Sequence, residues 1–70
     1  MPVNFDLYYA ALEAEKNFHA EVVRQFGPTR AGDMRYQTNL HDSATLKAGE
    51  EYRAANEAWR NEMRRDNENA

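Results

Sequence analysis

Apolar residues recur at steps of three and four residues through the first third of the chain. This spacing is the period of one face of an α-helix. Gly27 and Pro28 follow, and they supply a left-handed C′ residue and a residue that cannot continue a helix. The pattern predicts a first helix over residues 4–26, capped by Asn4 or Asp6. Its predicted apolar face consists of Phe5, Tyr8, Tyr9, Leu12, His19, Val22, Val23 and Phe26, with Glu15 in the middle.

A second, thinner apolar pattern predicts a helix over residues 43–65, with Asp42 or Ser43 as its N-cap. Small residues occupy much of this face, and Gly49 within it costs about 0.8–1 kcal/mol relative to Ala. A packing reason would offset that cost, so we expect an aromatic ring of the first helix over Gly49. The candidate rings are Phe5, Tyr8 and Phe18. Residues 66–70 are predicted to fray.

Residues 27–42 show no sustained period and form the predicted connection between the helices. This connection is longer than those usual between packed helices, so it is either functional or held by its own apolar side chains. Met34, Tyr36 and Leu40 are the candidates for holding it. A short helical turn is expected around residues 33–36, next to the turn signal of Gly32 and Asp33.

These elements predict one all-α domain over residues 1–70, an antiparallel two-helix hairpin with a long ordered connecting loop. A chain of this length buries only about 60% of the surface that it exposes when unfolded. It contains no cysteine, so disulfides cannot support the fold. Two helices also cannot hide all the aromatic surface between them. We therefore expect a homodimer with a four-helix-bundle-like core.

Glu15 and His19 are the polar residues that stand out on the first apolar face, and their four-residue spacing makes them neighbours. One hypothesis is a metal site or acid–base pair completed by His41 or Asp42. Carboxylate-bridged metal bundles use a Glu-x-x-His step of three with matching motifs on other helices, and this chain lacks that pattern. The favoured interpretation is a buried polar pair that is hydrogen-bonded within an apolar interface, because unpaired burial of Glu15 would be costly.

Arginine and aromatic residues form the second group of candidates, because both types are enriched at protein contacts. Arg30, Arg35 and Tyr36 share the connecting segment. On the helices, the candidate contact residues are Tyr8, Tyr9 and Trp59. The alternative interpretation is that these aromatic side chains are core. Arg60, Arg64 and Arg65 are interleaved with acidic residues and so predict a solvated helix face.

The sequence carries no Gly-rich phosphate loop, nucleophile elbow, thiol or paired catalytic acids, so we expect no enzymatic activity and no cofactor. A net charge of −3 is the wrong sign for a general nucleic-acid binder. No signal peptide or long apolar run is recognisable, which predicts a soluble, cytoplasmic protein. The predicted function is a small interaction module, of the phage-type inhibitor or adaptor class, that binds a larger protein. The alternatives are a dimeric nucleic-acid-associated regulator and a metal-binding helical bundle.

Overall fold

The structure, a computed structural model, describes the backbone of residues 5–68 and the side chains of residues 5–65. Its elements are α1 (Phe5–Phe26), α2 (Ala31–Met34), a 3-10 turn (Thr38–Leu40) and α3 (Ser43–Glu68). No strand occurs in residues 5–68, so the all-α prediction is confirmed. Three α-helices are present in this range instead of the predicted two. Neither long helix has an apolar run sufficient to cross a bilayer within the described range.

The end of α1 follows from Gly27, as the sequence predicts. Gly27 has a φ of 90°, and its N–H donates to the Val23 carbonyl over 2.8 Å. A residue without Cβ adopts this left-handed conformation without strain, and the hydrogen bond closes the last turn. At the other end of α1, the proposed cap Asn4 lies outside the described residues.

Asp42 is the N-cap of α3. Its Oδ1 accepts the Thr45 N–H over 2.9 Å, and its carbonyl accepts the Leu46 N–H over 2.9 Å. The helix continues to Glu68, so the predicted end at residue 65 is too early. Arg65 supports the last turns through an ion pair with Glu62 of 2.9 Å, and a cation near a helix C-terminus is favourable. Residues 69–70 lie outside the described range.

The two long helices pack along one another with opposite chain directions. At one end of the pair, the ring centroids of Tyr8 and Trp59 lie 5.2 Å apart. At the other end, Arg24 near the end of α1 pairs with Asp42 at the start of α3 over 2.8 Å. These contacts join the beginning of each helix to the end of the other.

The core lies at the end of the helix pair where residues 27–42 connect the helices. Its buried members come from all three helices, which explains why a four-residue helix forms in the connection. Thr45 is fully buried beside them. The buried apolar cluster consists of Phe18, Val22, Ala31, Met34 and Ala48, with Val23, Phe26 and Tyr52 packed against it.

The buried face of α1 agrees with the predicted face only in part. Val22 is buried as predicted, and Val23 and Phe26 pack against the core. Ala11 and Phe18, which are outside the predicted face, are also buried, whereas Tyr9, Leu12 and His19 of the predicted face are exposed. The apolar arc of α1 is broad enough for two rows, and α3 packs on the row that contains Phe18.

Gly49 explains this choice. A Cβ built on Gly49 would lie 3.0 Å from Phe18 Cε1, so the ring fills the space that the glycine leaves. Of the three rings expected over Gly49, Phe18 is the one found there. This contact is made with the row that contains Phe18 facing α3.

The connecting segment is held by different side chains from those predicted. Met34 is buried as expected, but Tyr36 and Leu40 are exposed. Ala31 and His41 fill the interior instead, and His41 Nε2 lies 2.7 Å from the Met34 carbonyl. A carbonyl can only accept, so Nε2 carries the proton in this contact. The helical turn also begins earlier than expected, at residue 31.

Candidate contact surface

A row of mostly exposed residues runs along the side of α1 that faces away from α3. It begins with the apolar residues Phe5, Tyr9 and Leu12, which are 58%, 63% and 40% exposed. The steps of four and three, which are the a/d spacing of a heptad, continue through the exposed Lys16 and His19 to Val23, which is half-buried against the core cluster. We name this set the α1 row. Its members are Phe5, Tyr9, Leu12, Lys16, His19 and Val23.

Two half-covered rings support the beginning of the α1 row. Tyr8 packs edge-on against Tyr9 with 5.5 Å between centroids, and it contacts Trp59 of α3 on its other side. Trp59 also approaches the Phe5 ring at 6.5 Å. Of the predicted contact aromatics, Tyr9 is therefore mainly exposed, while Tyr8 and Trp59 join the two helices and position the exposed rings.

A shallow depression of about 480 Å³ lies in the middle of α1, lined by Leu12, Glu15, Lys16, His19 and Ala20. The predicted buried pair of Glu15 and His19 is therefore not buried in this chain: His19 is exposed and Glu15 is half-buried. Neither side chain makes a hydrogen bond or ion pair within the described residues. The physical reason is the orientation of α1 about its own axis. The residues in line with Phe18 face the core, so Glu15 lies at the edge of the buried face and His19 lies outside it.

The residues proposed to complete a metal site with Glu15 and His19 are engaged elsewhere. His41 is buried against the Met34 carbonyl, and Asp42 pairs with Arg24. Among the described residues, no group of three His, Asp or Glu side chains is arranged to hold a metal ion. The described residues therefore do not support the metal-binding alternative.

Arg35 and Tyr36 form a second exposed feature, in the segment after α2. The Arg35 guanidinium lies 5.5 Å from the Phe18 ring centroid and 5.8 Å from that of Tyr52, so it covers the edge of the core. The same guanidinium lies 5.6 Å from the centroid of the Tyr36 ring, and Tyr36 is 76% exposed. Arg30 is exposed nearby in sequence, with Nη2 3.6 Å from Met34 Sδ. We name Arg30, Arg35 and Tyr36 the loop patch.

A charged cluster that the sequence analysis missed joins the end of α1 to the start of α3. Arg24 Nη2 donates to both carboxylate oxygens of Asp42, over 3.0 and 2.8 Å, and Arg24 Nε donates to Glu21 over 2.8 Å. The hydrogen bonds from Arg24 and from the Thr45 backbone lower the pKa of Asp42 from 3.8 to about 2. The hydrogen bonds to Asp42 and to Glu21 raise the pKa of Arg24. The sequence predicts Asp42 as a helix N-cap. It does not predict the ion pair with Arg24, because the two residues belong to different helices and lie far apart in the sequence.

The arginines late in α3 divide into two kinds. Arg65 pairs with Glu62, while Arg60 and Arg64 line a depression of about 310 Å³ together with Arg53. Asn56 is half-buried in the wall of the same depression. Comparison with known proteins gives no further guide, since no family model, curated protein or solved structure matches this chain.

Proposed function

We propose that this chain is a small non-enzymatic interaction module that acts by binding a larger protein, as an inhibitor or adaptor. The observation that carries the proposal is that several large apolar side chains are exposed to solvent in so small a chain. Phe5, Tyr9, Leu12 and Tyr36 are each at least 40% exposed. Single exposed apolar residues are ordinary, but Phe5, Tyr9 and Leu12 are neighbours on one face of α1, and contiguous exposed apolar surface marks contact sites.

The loop patch is the proposed site for the larger protein. Tyr and Arg are the residue types that most often dominate binding energy at protein interfaces. Arg35 rests on two core rings and contacts the Tyr36 ring, so part of the ordering that binding requires is already present in the free chain. Arg30 adds a second exposed cation close by in sequence.

The proposed functional unit is a homodimer in which the two pairs of long helices form a four-helix assembly. The α1 row supports this proposal, because the helix pair of one copy leaves its members from Phe5 to His19 exposed. The loop patch lies outside that row, so a dimer would present one loop patch from each copy to its partner. Simultaneous binding through both would raise the overall affinity when the sites on the larger protein match their separation.

A capture experiment with paired variants tests the loop patch. The immobilised wild-type chain, Tyr36→Ala and the control Lys47→Ala are exposed to the same lysate, and retained proteins are compared by mass spectrometry. Lys47 is exposed on α3 and lies outside the loop patch. We expect one protein to be retained by the wild type and by Lys47→Ala and to be strongly reduced with Tyr36→Ala. Equal retention by Tyr36→Ala would overturn the assignment of this patch.

The arginine depression on α3 favours nucleic-acid binding as a second candidate function. Arg53, Arg60 and Arg64 line one side of the helix, and three phosphate contacts predict a log–log salt slope of roughly −3. A fluorescence titration of a labelled duplex at several salt concentrations measures this slope. Arg60→Glu should weaken binding, and Lys47→Glu provides a control with the same charge change. The absence of binding at low salt would eliminate this candidate.

A further inference from the structure

We propose that two copies of this chain pair through the α1 row, with their α1 helices antiparallel and Leu12 of each copy seated in the depression of the other. This geometry specifies the dimer of the proposed function and rests on it. It makes no use of the loop patch, so the two proposals can fail separately. Three observations support it: the shape of the depression, the distribution of side-chain size along the row, and the position of its one lysine.

The depression has the geometry of a socket for a side chain from another helix. Leu12, Glu15, Lys16 and His19 stand at positions i, i+3, i+4 and i+7, which are the four residues that form a hole in knobs-into-holes packing. The row that contains Leu12 lies about 120° around α1 from the buried row, since successive residues turn by about 100°. A second helix can therefore pack on it without displacing α3.

Side-chain size and polarity change along the α1 row. Its first half carries the large apolar side chains of Phe5, Tyr9 and Leu12, and its second half carries the polar Lys16 and His19 and the smaller Val23. Antiparallel pairing about the middle of the row matches the two halves. It sets Phe5 against Val23, Tyr9 against His19 and Leu12 against Lys16. Parallel pairing would place ring on ring in one half and leave the depressions unfilled in the other.

The charge of Lys16 favours a second copy of this chain as the molecule that packs on the α1 row. Lys16 and Glu13 are both exposed, and neither makes a hydrogen bond or ion pair within the described residues. In the antiparallel arrangement, Lys16 lies opposite Leu12 of the second copy and next to its Glu13. The symmetric contact therefore provides each lysine with a carboxylate. An apolar helix of unrelated sequence would leave this ammonium group facing an apolar surface.

The available area indicates a dimer of moderate strength. An aromatic side chain buries about 150–250 Å², so the exposed fractions of Phe5 and Tyr9 leave about 180–300 Å² between them. The remaining four members of the row bring the surface towards the roughly 800 Å² per partner of a standard interface. We therefore expect a concentration-dependent equilibrium between monomer and dimer.

Light scattering on the full chain across a dilution series measures this equilibrium. We expect the mass to rise from 8.2 kDa towards twice that value with concentration. Leu12→Glu should raise the dimer dissociation constant at least about tenfold, because a carboxylate would enter the apolar contact. Asn17→Glu adds the same charge at an exposed position outside the row and should leave the constant unchanged. Circular dichroism verifies that both variants remain helical.

Two outcomes of that series would overturn the proposal. A mass of 8.2 kDa at every concentration would mean that the row does not bind a second copy. An equal effect of Leu12→Glu and Asn17→Glu would place any dimer contact elsewhere. In either case, capture through Tyr36 remains testable, so loss of the dimer and loss of the larger partner are distinguishable.

Disulfide cross-linking tests the antiparallel direction, and the absence of cysteine from the chain makes every cross-link assignable. Tyr9→Cys chains are mixed with His19→Cys chains in a glutathione redox buffer. We expect the mixed product to dominate, because antiparallel pairing brings position 9 of one copy to position 19 of the other. Dominant cross-linking of Tyr9→Cys to itself would indicate parallel pairing and would overturn this geometry.

Discussion

Gly49→Ala is expected to destabilise the fold, although alanine is the better helix former. Gly49 lies inside α3, where replacing glycine by alanine contributes about 1 kcal/mol of helix propensity. The added Cβ, however, would lie 3.0 Å from Phe18 Cε1 and 3.4 Å from Phe18 Cζ. The end of the Arg53 side chain, at 3.4 Å, can move away easily. The sign of the effect therefore depends on whether Phe18 can move.

Phe18 has little freedom to move. It is only 3% exposed, and its ring packs against Tyr52 and His41 with centroids at 5.9 Å from each. Forcing an extra methyl group into a packed core costs about 1–3 kcal/mol. Subtracting the gain in propensity leaves a net loss of about 0–2 kcal/mol for Gly49→Ala. In a Phe18→Leu background the clash is relieved, and the same change should stabilise by about 1 kcal/mol.

Gly32→Ala is the matched control. Gly32 lies in α2, and a Cβ there would meet no atom within 4 Å, so we expect stabilisation of about 0.5–1 kcal/mol. Urea unfolding followed by circular dichroism gives the free energies of unfolding of all five proteins at one protein concentration: the wild type, Gly49→Ala, Gly32→Ala, Phe18→Leu and the double variant Phe18→Leu with Gly49→Ala. The reasoning is refuted if Gly49→Ala stabilises the wild-type chain as much as Gly32→Ala does.

Three further changes test other contacts by the same unfolding assay. Gly27→Ala should cost about 1–2 kcal/mol, because the φ of 90° is strained for a residue with Cβ, and an unchanged free energy would contradict this. Asp42 has a folded-state pKa of about 2, below its ordinary 3.8, so its contribution is present above pH 3.8 and is lost as pH falls towards 2. Asp42→Asn should flatten stability over that window, and an unaltered pH profile would count against the ion pair. His41→Phe should cost about 0.5–1.5 kcal/mol, because the Met34 carbonyl loses one of its two donors and keeps the Gln37 N–H, and a neutral result would show that the His41 hydrogen bond contributes nothing to stability.

The long helices were predictable because their signals are local. The Gly27–Pro28 stop and the Asp42 cap each act on neighbouring backbone groups, and both ends lie where the sequence places them. The predicted end of α3 is too early. The Glu62–Arg65 ion pair lies in the last turns and supports the helix beyond residue 65.

The face of α1 that packs on α3 was not predictable from periodicity alone. Two neighbouring rows of this helix are apolar, and a three-to-four spacing fits both of them. The choice is made by a contact distant in sequence, the fit of Phe18 against Gly49. The burial of His41 was missed for a similar reason, since it depends on α2 bringing the Met34 carbonyl to the ring.

The contact candidates were predicted unevenly. Tyr9 and Tyr36 are exposed as a contact role requires, whereas Tyr8 and Trp59 contact each other and Arg35 covers core rings. The sequence shows which residue types are suited to contacts, but it does not show which of them are needed to close a small core.

The uneven distribution of burial along the helix pair has a consequence for the order of folding. The cluster around Phe18, Met34 and Ala48 joins residues from the middle of the chain, whose separation in sequence is smaller than that of the outer turns, so that they meet at lower entropic cost. Within the described residues, the outer turns of the two long helices meet through the rings of Phe5, Tyr8 and Trp59. Folding should therefore begin at the connection and proceed outwards, and the outer turns should exchange their amide protons first.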